Sequence, residues 1–330
     1  MVIAEIAQAH DGSLGILHSY IDALAGSGVD AVKFQTHIAD AESSADEPFR
    51  IKFSYEDATR YDYWKRMEFT LQQWKDIKKH CNDVGLEFIS SPFSNAAVDL
   101  LETLEVKRYK VGSGEITNHL LLEKIALTKK PVILSSGMSD WNELDEAVEI
   151  FRKKNIDTTV LQCTSAYPST PEQWGLNVIA ELKNRYKTKT GFSDHSGNIF
   201  ASLAAAALGA EVFEFHVAFH KKIFGPDTKA SIHIDEVKTL TEGIQQIQTA
   251  LKNNIEKSDV KAMKPLKDIF EKSIAVNQKL SAGTLIRFEH LEAKKPKGKG
   301  IAANEYKNII GKKIIREKGQ WDFLNPDDIA

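Results

Sequence analysis

The sequence EVFEFH (211–216) is the last of eight short β-rich runs whose spacing decides the fold. The preceding seven runs are VIAEIA (2–7), DAVKFQ (30–35), EFISS (87–91), RYKVG (108–112), PVILSS (131–136), TTVLQC (158–163) and KTGFS (189–193). Apolar residues recur every three or four positions between and after them, which predicts helices near 14–27, 71–84, 95–104, 118–127, 141–153, 172–184, 197–208 and 233–252. Eight successive strand–helix pairs are the pattern of a (β/α)8 TIM barrel.

A doubly wound open sheet is the alternative arrangement for alternating strands and helices. Such a sheet usually carries a glycine-rich phosphate-binding turn after its first strand. The segment AHDGS (9–13) is a poor match to that turn. The sequence therefore favours the barrel.

The alternation stops after the eighth helix. The segment NNIEKSDVKAMKP (253–265) is polar and typical of a linker, and short strands, glycine turns and charged residues follow it. We predict a barrel over residues 1–254, a linker over 255–266 and a small β-rich domain over 267–330. The 330 residues are 42% hydrophobic, which is enough apolar material for a sizeable core.

Composition excludes several classes of protein. The 43 basic and 46 acidic side chains give a net charge of −3, which argues against a mainly electrostatic nucleic-acid binder, so AKKPKGKG (293–300) is interpreted as a solvated turn. Two cysteines, Cys81 and Cys163, cannot form a disulfide framework or a zinc ribbon. No apolar run reaches membrane-spanning length, and Glu5 interrupts the start of the chain where a signal peptide would need apolar residues. We expect a soluble, cytoplasmic protein without nucleic-acid or membrane partners.

One connection between the predicted elements is unusually long. Helix signals are missing from about His37 to Arg66, a stretch rich in charged and aromatic residues. A loop of this length in a compact domain is usually a lid or a substrate wall. The alternative is a surface excursion that is packed by its own tyrosines and phenylalanines.

Polar side chains lie at the ends of all eight predicted strands. In a (β/α)8 barrel these ends meet at the mouth where active sites form. A single hydroxyl at a strand end is often only a turn former or a cap. The converging residues are Glu5, Gln8, His10, Lys33, Gln35, His37, Ser90, Ser91, Ser94, Lys110, Ser113, Glu115, Ser135, Ser136, Gln162, Thr164, Tyr167, Ser193, Asp194, His195, Glu214 and His216.

Two histidines end neighbouring strands. Because His195 follows the seventh run and His216 ends the eighth, the barrel brings them side by side. Two imidazoles at a barrel mouth suit a divalent transition metal such as Mn, Zn or Fe. The alternative is a pair of hydrogen-bonded rim histidines. His10, His37 and His220 are interpreted as capping or polar-shell residues.

Two lysines lie within predicted barrel strands. Burying Lys33 or Lys110 is costly unless the ammonium group meets an anion or a carboxylate. The nearby serines and glycine turns add hydroxyl and backbone N–H donors, a combination that suits a ligand with a phosphate and a carboxylate. The alternative is internal pairing with Glu5 or Glu115. Glu115 is a candidate for acid–base chemistry or sugar-hydroxyl recognition, or else a simple counter-ion.

These residues stand in motifs that resemble the sialic acid synthase (NeuB) family along essentially the whole chain. The motifs occur in the family's order and lie on the predicted strand ends. They are AEIAQAHDGS (4–13), VKFQTH (32–37), FISSPFS (88–94), YKVGSGE (109–115), ILSSGM (133–138), QCTSAYP (162–168), GFSDHS (191–196), EFH (214–216) and GPDTKAS (225–231).

The resemblance implies a (β/α)8 barrel followed by an antifreeze-like (SAF) domain, in a domain-swapped homodimer where that domain reaches the partner's site. It also implies a carbon–carbon bond-forming transferase. Such an enzyme condenses phosphoenolpyruvate with an open-chain N-acylated amino sugar to give a nonulosonic acid, such as N-acetylneuraminate, legionaminate or pseudaminate, and phosphate.

The resemblance also implies roles for individual residues. His195 and His216 match the positions of metal ligands, with Mn expected and Mg or Co as alternatives. The residues that match contacts to phosphoenolpyruvate are Lys33, Lys110, Ser91, Ser113, Ser135 and Ser193. Those that match positions around phosphoenolpyruvate and the sugar are Glu5, Gln35, Glu115, Tyr167 and Asp227. Of these residues, Glu5, Glu115, His195 and His216 are expected to be catalytic.

The chain departs from the family pattern at four positions. Ala9 and Ser165 each stand where the family usually has Asn, and Phe215 stands where it has a basic residue. Lys295 stands where the SAF domain usually offers an arginine to the sugar, and Lys cannot reproduce a planar donor fork. Ser165 and Lys295 are retained as candidate sugar-binding residues. The acceptor sugar stays open, as do two alternatives: another synthase that condenses phosphoenolpyruvate with an aldose, and a non-catalytic sugar-phosphate-binding protein.

Overall fold

The chain, described over residues 1–330 by a computed structural model, divides into two compact units, Met1–Asn253 and Asn254–Ala330. The main strands of the first unit are β1 (Val2–Glu5), β2 (Ala31–Thr36), β3 (Glu87–Pro92), β4 (Tyr109–Val111), β5 (Val132–Ser135), β6 (Thr158–Cys163), β7 (Lys189–Asp194) and β8 (Val212–Ala218). Its helices are α1 (Leu14–Leu24), α2 (Ala39–Glu42), α3 (Arg60–Met67), α4 (Leu71–Asp83), α5 (Asn95–Thr103), α6 (His119–Leu127), α7 (Trp141–Arg152), α8 (Val178–Tyr186), α9 (Phe200–Ala207) and α10 (Val237–Lys252). None of the helices in the structure is both long enough and apolar enough to cross a membrane.

The eight strands form a nearly closed parallel barrel. They follow the order β3-β2-β1-β8-β7-β6-β5-β4, and a two-residue strand, β9 (Ile232–His233), pairs with β8. Strands β3 and β4 are adjacent without a hydrogen-bonded ladder between them. In this register Glu5 on β1 lies opposite both Lys33 on β2 and His216 on β8. The predicted eight-stranded barrel architecture is confirmed.

The two faces of the strands have different partners because successive side chains on a strand point to opposite sides. One face packs against the helices in a large apolar cluster that includes Val32, Phe34 and Phe213. Residues of the other face form a separate, smaller cluster inside the barrel: Ile3, Ala31, Ile89, Ile133, Leu161 and Val212. Two residues further along the same strands, this inner face becomes polar. A layer of apolar side chains therefore lies inside the barrel directly below these polar residues.

The long connection contains more helix than its sequence pattern indicates. Helix α3 begins at Arg60, so the expectation that the region stays irregular until about Arg66 is wrong. A capping box explains this start, because the Thr59 side chain accepts from the Asp62 N–H and the Asp62 side chain accepts from Thr59. Tyr63 and Trp64 are buried on this helix.

We call residues 38–59, together with α3, the excursion. Its aromatic residues form their own cluster, in which Phe49, Phe53 and Tyr61 pack against buried Tyr63 and Trp64. The excursion is thus held by its own aromatic core, and it also lines the site described below. The structure shows the aromatic packing of the second interpretation, and a role as lid or substrate wall stays a prediction.

The second unit has a small core of its own. It contains α11 (Lys264–Phe270) and an antiparallel pair, β10 (Ser273–Val276) and β11 (Leu291–Lys294). Other extended segments make five isolated β-bridges. Its core residues are Ile274, Val276, Leu280, Ile286, Ile301, Ile309, Ile314 and Leu324. Part of the predicted linker, from Lys264 on, is helical.

Candidate active site

A cavity of about 410 Å³ lies at the carboxyl ends of the barrel strands. It collects the predicted site residues of the first unit from strands and loops around the whole barrel. The predicted residues that line it are Glu5, Lys33, Gln35, Ser91, Lys110, Ser113, Glu115, Ser135, Ser165, Tyr167, Ser193, His195, His216 and Asp227. Lys295 belongs to the second unit, where it is exposed and its Nζ lies 4.5 Å from the centroid of the Phe270 ring.

A layer of paired charges lies at the base of this cavity. The Nζ of Lys33 lies 2.7 Å from Glu5 Oε1 and 3.5 Å from Glu214 Oε1. The Nζ of Lys110 lies 3.2 Å from the same Glu214 oxygen. All four side chains are at most 3% exposed, so their pairing offsets the large cost of burying isolated charges.

Internal pairing therefore accounts for both lysines in part. Glu5 is a partner as expected, whereas Glu115 accepts from the Asn118 amide and pairs with neither lysine. Glu214 bridges the two lysines; the sequence analysis placed it at the barrel mouth but gave it no role. Its signal was available in the sequence, because it lies two residues before His216 on one strand and so faces the same side.

The protonation behaviour of the charged layer follows from burial and pairing. Burial alone would raise the pKa of Glu5, but nearby His216 and Lys33 hold it well below its usual range. Burial alone would lower the pKa of Lys33, but Glu214 and Glu5 raise it. Burial does lower the pKa of Lys110, against the opposing pull of Glu214. Glu5 is thus a carboxylate next to a charged lysine, and Lys110 is the lysine that an added anion would stabilise most.

Hydroxyl groups surround the charged layer. Lys110 Nζ donates to Ser135 Oγ at 2.8 Å, and Ser193 Oγ donates to Glu214 at 3.1 Å. After strands β4 and β6, Ser113 and Ser165 share a hydrogen bond of 3.0 Å between their hydroxyls. Buried ammonium and hydroxyl donors converging on one cavity are suited to an anionic ligand.

The two histidines lie at the same mouth, with ring centroids 5.4 Å apart. His195 Nδ1 donates to the Thr164 carbonyl at 2.8 Å, so in the neutral ring the lone pair lies on Nε2. Burial alone would lower the pKa of His195, but Cys163 and the Thr164 carbonyl raise it to about 9, so a metal ion would have to displace the Nε2 proton. His216 Nε2 lies 3.3 Å from Glu5 Oε2, and burial lowers the pKa of His216. No group of three or more His, Cys, Asp and Glu side chains has the spacing of a metal site. The predicted histidine pair thus has no third such side chain at metal-ligand spacing.

Glu115 and Tyr167 lie higher in the cavity. Burial raises the pKa of Glu115, so its carboxyl is easier to protonate than an exposed one. The Tyr167 ring stacks on His195 with centroids 4.1 Å apart. Burial also raises the pKa of Tyr167, which keeps its hydroxyl protonated and able to donate.

His37 is a buried member of the site that the sequence interpretation reduced to a polar-shell residue. Its ring is stacked between Trp64 and Phe93, at centroid distances of 4.0 and 4.6 Å. Its Nδ1 lies 2.6 Å from Glu42 Oε1, and its Nε2 lies 2.9 Å from the Gln8 amide nitrogen. A proton on Nδ1 satisfies both contacts, because Nε2 then accepts from Gln8.

The same chain of hydrogen bonds continues to the charged layer. Gln8 donates to Gln35 Oε1, and Gln35 donates from Nε2 to Glu5 Oε1 at 2.8 Å. His37 thus fixes the direction in which both glutamine amides point. No single residue pattern reveals this network, because its members come from β1, β2 and the excursion.

Two departures from the family pattern have a structural explanation. Phe215 is buried in the cluster under the helices, on the face of β8 opposite Glu214 and His216. Ala9 likewise packs against that cluster. Neither residue lines the cavity, so neither changes the donors available there.

Comparison with known proteins shows the family of this chain. A family model described as the NeuB family matches residues 20–256. The chain belongs to the NeuB family. This NeuB-family chain is 35% identical to the N,N'-diacetyllegionaminic acid synthase of Campylobacter jejuni over 318 residues, which cover 94% of the chain and 95% of that protein.

Two further relatives extend the comparison. The NeuB-family chain is 31% identical to a pseudaminic acid synthase of Campylobacter jejuni, with 99% of the chain and 96% of that protein covered. It is also similar to the crystal structure of the N-acetylneuraminic acid synthetase of Leptospira borgpetersenii in complex with citrate. That similarity has a TM-score of 0.71 and 28% identity and covers 80% of the chain and 90% of the other. The three relatives are named for three different products.

Proposed function

We propose that this protein condenses phosphoenolpyruvate with an open-chain N-acylated amino sugar to form a nonulosonic acid and phosphate. The observation that carries the proposal is the layer of Lys33, Glu5, Lys110 and Glu214 beneath an open cavity, in a chain of the NeuB family. Relatives named as legionaminic and pseudaminic acid synthases support a sialic-acid-like product. The protein would then be a carbon–carbon bond-forming transferase.

The lysines and serines would hold phosphoenolpyruvate. Lys110 with Ser135, and Lys33 with Ser91, place ammonium and hydroxyl donors on adjacent walls of the cavity. Charge-assisted hydrogen bonds from these groups would position the phosphate and carboxylate of phosphoenolpyruvate. The hydrogen-bonded pair Ser113 and Ser165 offers further hydroxyls.

His195 and His216 would hold a divalent cation, with Mn expected from the resemblance and Mg or Co as alternatives. The donor set fits, because two buried imidazoles suit such an ion and would leave other positions for oxygens of water or substrate. The charges also fit. When all four are ionised, the two lysines and the two glutamates carry no net charge. The negative charge of a bound anionic substrate would then be offset by a cation. When bound, the cation would act as a Lewis acid on the sugar aldehyde.

Glu5 would act where charge develops during the reaction. Carbon 3 of phosphoenolpyruvate forms a bond to the aldehyde carbon, and positive charge develops at carbon 2. The Glu5 carboxylate, which lies 2.7 Å from the Lys33 ammonium, would stabilise that charge or orient the water that adds at carbon 2. Phosphate then leaves by cleavage of its C–O bond. Gln35, Glu115, Tyr167 and Asp227 would face the sugar.

A phosphate-release assay tests the function. The protein is incubated with phosphoenolpyruvate, Mn²⁺ and a panel of N-acylated amino sugars, and products are identified by mass spectrometry. We expect phosphate in equal amount to a nonulosonic acid with at least one sugar. Phosphate release with a non-acylated aldose alone would favour another condensing synthase. Binding of both substrates without release would instead indicate a sugar-phosphate-binding protein.

We also propose that the second unit is an antifreeze-like domain that completes the site of a partner subunit in a domain-swapped homodimer, with Lys295 facing the sugar. Its eight-residue core is small, and Leu266, Ile269 and Phe270 are 50–59% exposed, which supports a further contact surface. A cytoplasmic location is supported by two free, buried cysteines, Cys81 and Cys163.

A further inference from the structure

The excursion carries one side chain that reaches over the mouth of the cavity. Arg50 directly follows Phe49, which is anchored in the aromatic cluster of the excursion, and it lines the cavity. Its guanidinium carbon lies 4.2 Å from the centroid of the Tyr167 ring. Because Tyr167 in turn stacks on His195, the three groups form one stack from the excursion to the barrel mouth.

Arg50 is held from one side only. Its Nη2 donates to Asp227 Oδ1 at 2.6 Å and to the Pro226 carbonyl at 3.3 Å. Its Nε and Nη1 groups have no acceptor within the protein, and its side chain is 39% exposed. A guanidinium fixed by a stacked ring and one carboxylate presents its remaining N–H groups in a defined plane.

The position of Arg50 indicates which of the two substrates it would contact. The lysines that would bind phosphoenolpyruvate are at most 3% exposed, whereas Arg50, stacked on Tyr167, is 39% exposed. A second substrate bound above the first would meet these free N–H groups. Such donors suit a carbonyl or an anionic oxygen.

We infer that Arg50 is an acceptor-binding residue, whose free N–H groups donate to a carbonyl or anionic oxygen of the sugar; this inference rests on the proposed function. The excursion then contributes directly to sugar selection in addition to covering the mouth. The specificity comes from the residue that the excursion aligns over Tyr167.

Steady-state kinetics on the full chain test this role. Each protein is titrated separately with the sugar and with phosphoenolpyruvate. The proteins compared are wild type, Arg50→Gln, Arg50→Lys and a control, Lys52→Gln, which removes an exposed charge two residues away. We expect Arg50→Gln to raise KM for the sugar about tenfold or more, since a charge-assisted hydrogen bond is lost, with KM for phosphoenolpyruvate nearly unchanged. Arg50→Lys should not restore the wild-type value, because a point charge cannot replace the planar fork. Lys52→Gln should match wild type.

Comparing acylated, de-acylated and phosphorylated sugars locates the oxygen. A loss confined to acylated sugars assigns the acyl carbonyl, and a loss confined to phosphorylated sugars assigns the phosphate; either supports the inference. If the substitution merely loosened the excursion, KM would rise for both substrates. That result, or an unchanged KM for the sugar, would overturn this inference but leave the proposed function standing. Absence of turnover by wild type with every sugar would overturn the proposed function and this inference with it.

Discussion

Glu214 is the residue on which the charged layer depends. One of its oxygens faces Lys33, Lys110 and Ser193, while the other, equally buried, has no hydrogen-bond partner. Removing both lysines would leave an unpaired buried carboxylate, which is strongly destabilising. Removing one lysine leaves Glu214 paired with the other, so single lysine variants can report on ligand binding.

Lys110→Met should weaken binding of phosphoenolpyruvate while the chain still folds. The variant loses a charge-assisted contact worth roughly 1.5–3 kcal/mol, which corresponds to about a tenfold or larger rise in KM for phosphoenolpyruvate. The apolar Met side chain fills similar space, and Glu214 keeps its contact with Lys33. Titration of both substrates measures the effect, and the KM for the sugar should change less.

Lys130→Met is the matched control for that variant. Lys130 pairs with Glu102, but both side chains are partly exposed, and such pairs contribute about 0–1 kcal/mol. Its kinetic constants should equal those of wild type. An unchanged titration of phosphoenolpyruvate with Lys110→Met would exclude the anchoring role of Lys110.

Metal dependence is the second expectation at this scale. Chelation should abolish turnover and added Mn²⁺ should restore it. An ion held by only two protein ligands, the imidazoles of His195 and His216, would be removed by a chelator. His216→Ala should lose activity while keeping its thermal transition, whereas His80→Ala, on the barrel's outer helix α4, should keep both. Full turnover in a chelated, metal-free sample would contradict the proposed role of the cation.

Residues at strand ends could be predicted from the sequence because strand alternation dictates their direction. Lys33, Lys110 and the two histidines required only the position of each strand. Arg50 could not be placed in this way, and the role of His37, although its strand end was recognised, could not be assigned. Arg50 comes from an irregular segment, and the role of His37 depends on Glu42 and Gln8, which no periodic pattern brings to it.

At the level of elements, β7 depends on a residue without a side chain. A Cβ on Gly191 would lie within 2.5 Å of Leu161 Cδ2 and still closer to the Val212 carbonyl oxygen on β8. Gly191→Ala should therefore reduce the free energy of unfolding by about 1–3 kcal/mol or more, because the barrel floor must shift to admit a methyl group. Thermal or urea unfolding measures this change.

Gly15→Ala is the matched control for Gly191→Ala. Gly15 is exposed in the first turn of α1, and a Cβ there meets nothing closer than 3.8 Å. The same substitution should be neutral or stabilising by up to about 1 kcal/mol. Equal free energies of unfolding for the two variants would show that the close approach of neighbouring atoms at Gly191 does not restrict this position to glycine.

The elements themselves differ in how well sequence periodicity defines them. Strands β1–β8 are short, buried runs bounded by turns, and their order follows from the alternation with helices. The start of α3 was missed for two reasons. Its capping box, Thr59 and Asp62, is embedded in a charged segment. Its buried residues Tyr63, Trp64 and Met67 belong to the aromatic cluster of the excursion and not to the barrel core.

At the level of the whole molecule, the two units have separate apolar cores. The barrel core contains residues from all eight main strands and from most of the helices, whereas the core cluster of the second unit has eight residues. A chain ending at Asn254 should keep a cooperative thermal transition but lose nearly all synthase activity, if the second unit completes the site. Retained activity in this shortened chain would show that the barrel alone is sufficient.

Subunit mixing then distinguishes a shared site from a simple structural role of the second unit. In a mixed dimer of Lys295→Ala and His216→Ala subunits, one site receives an intact His216 from its own barrel and an intact Lys295 from its partner. Mixing should therefore restore turnover above that of either parent dimer. Lys297→Ala, which removes a neighbouring lysine paired with Glu271, is the control and should remain active alone. A monomeric protein in solution, or mixed dimers no more active than their parents, would contradict the shared site, because each barrel would then hold every group that the reaction uses.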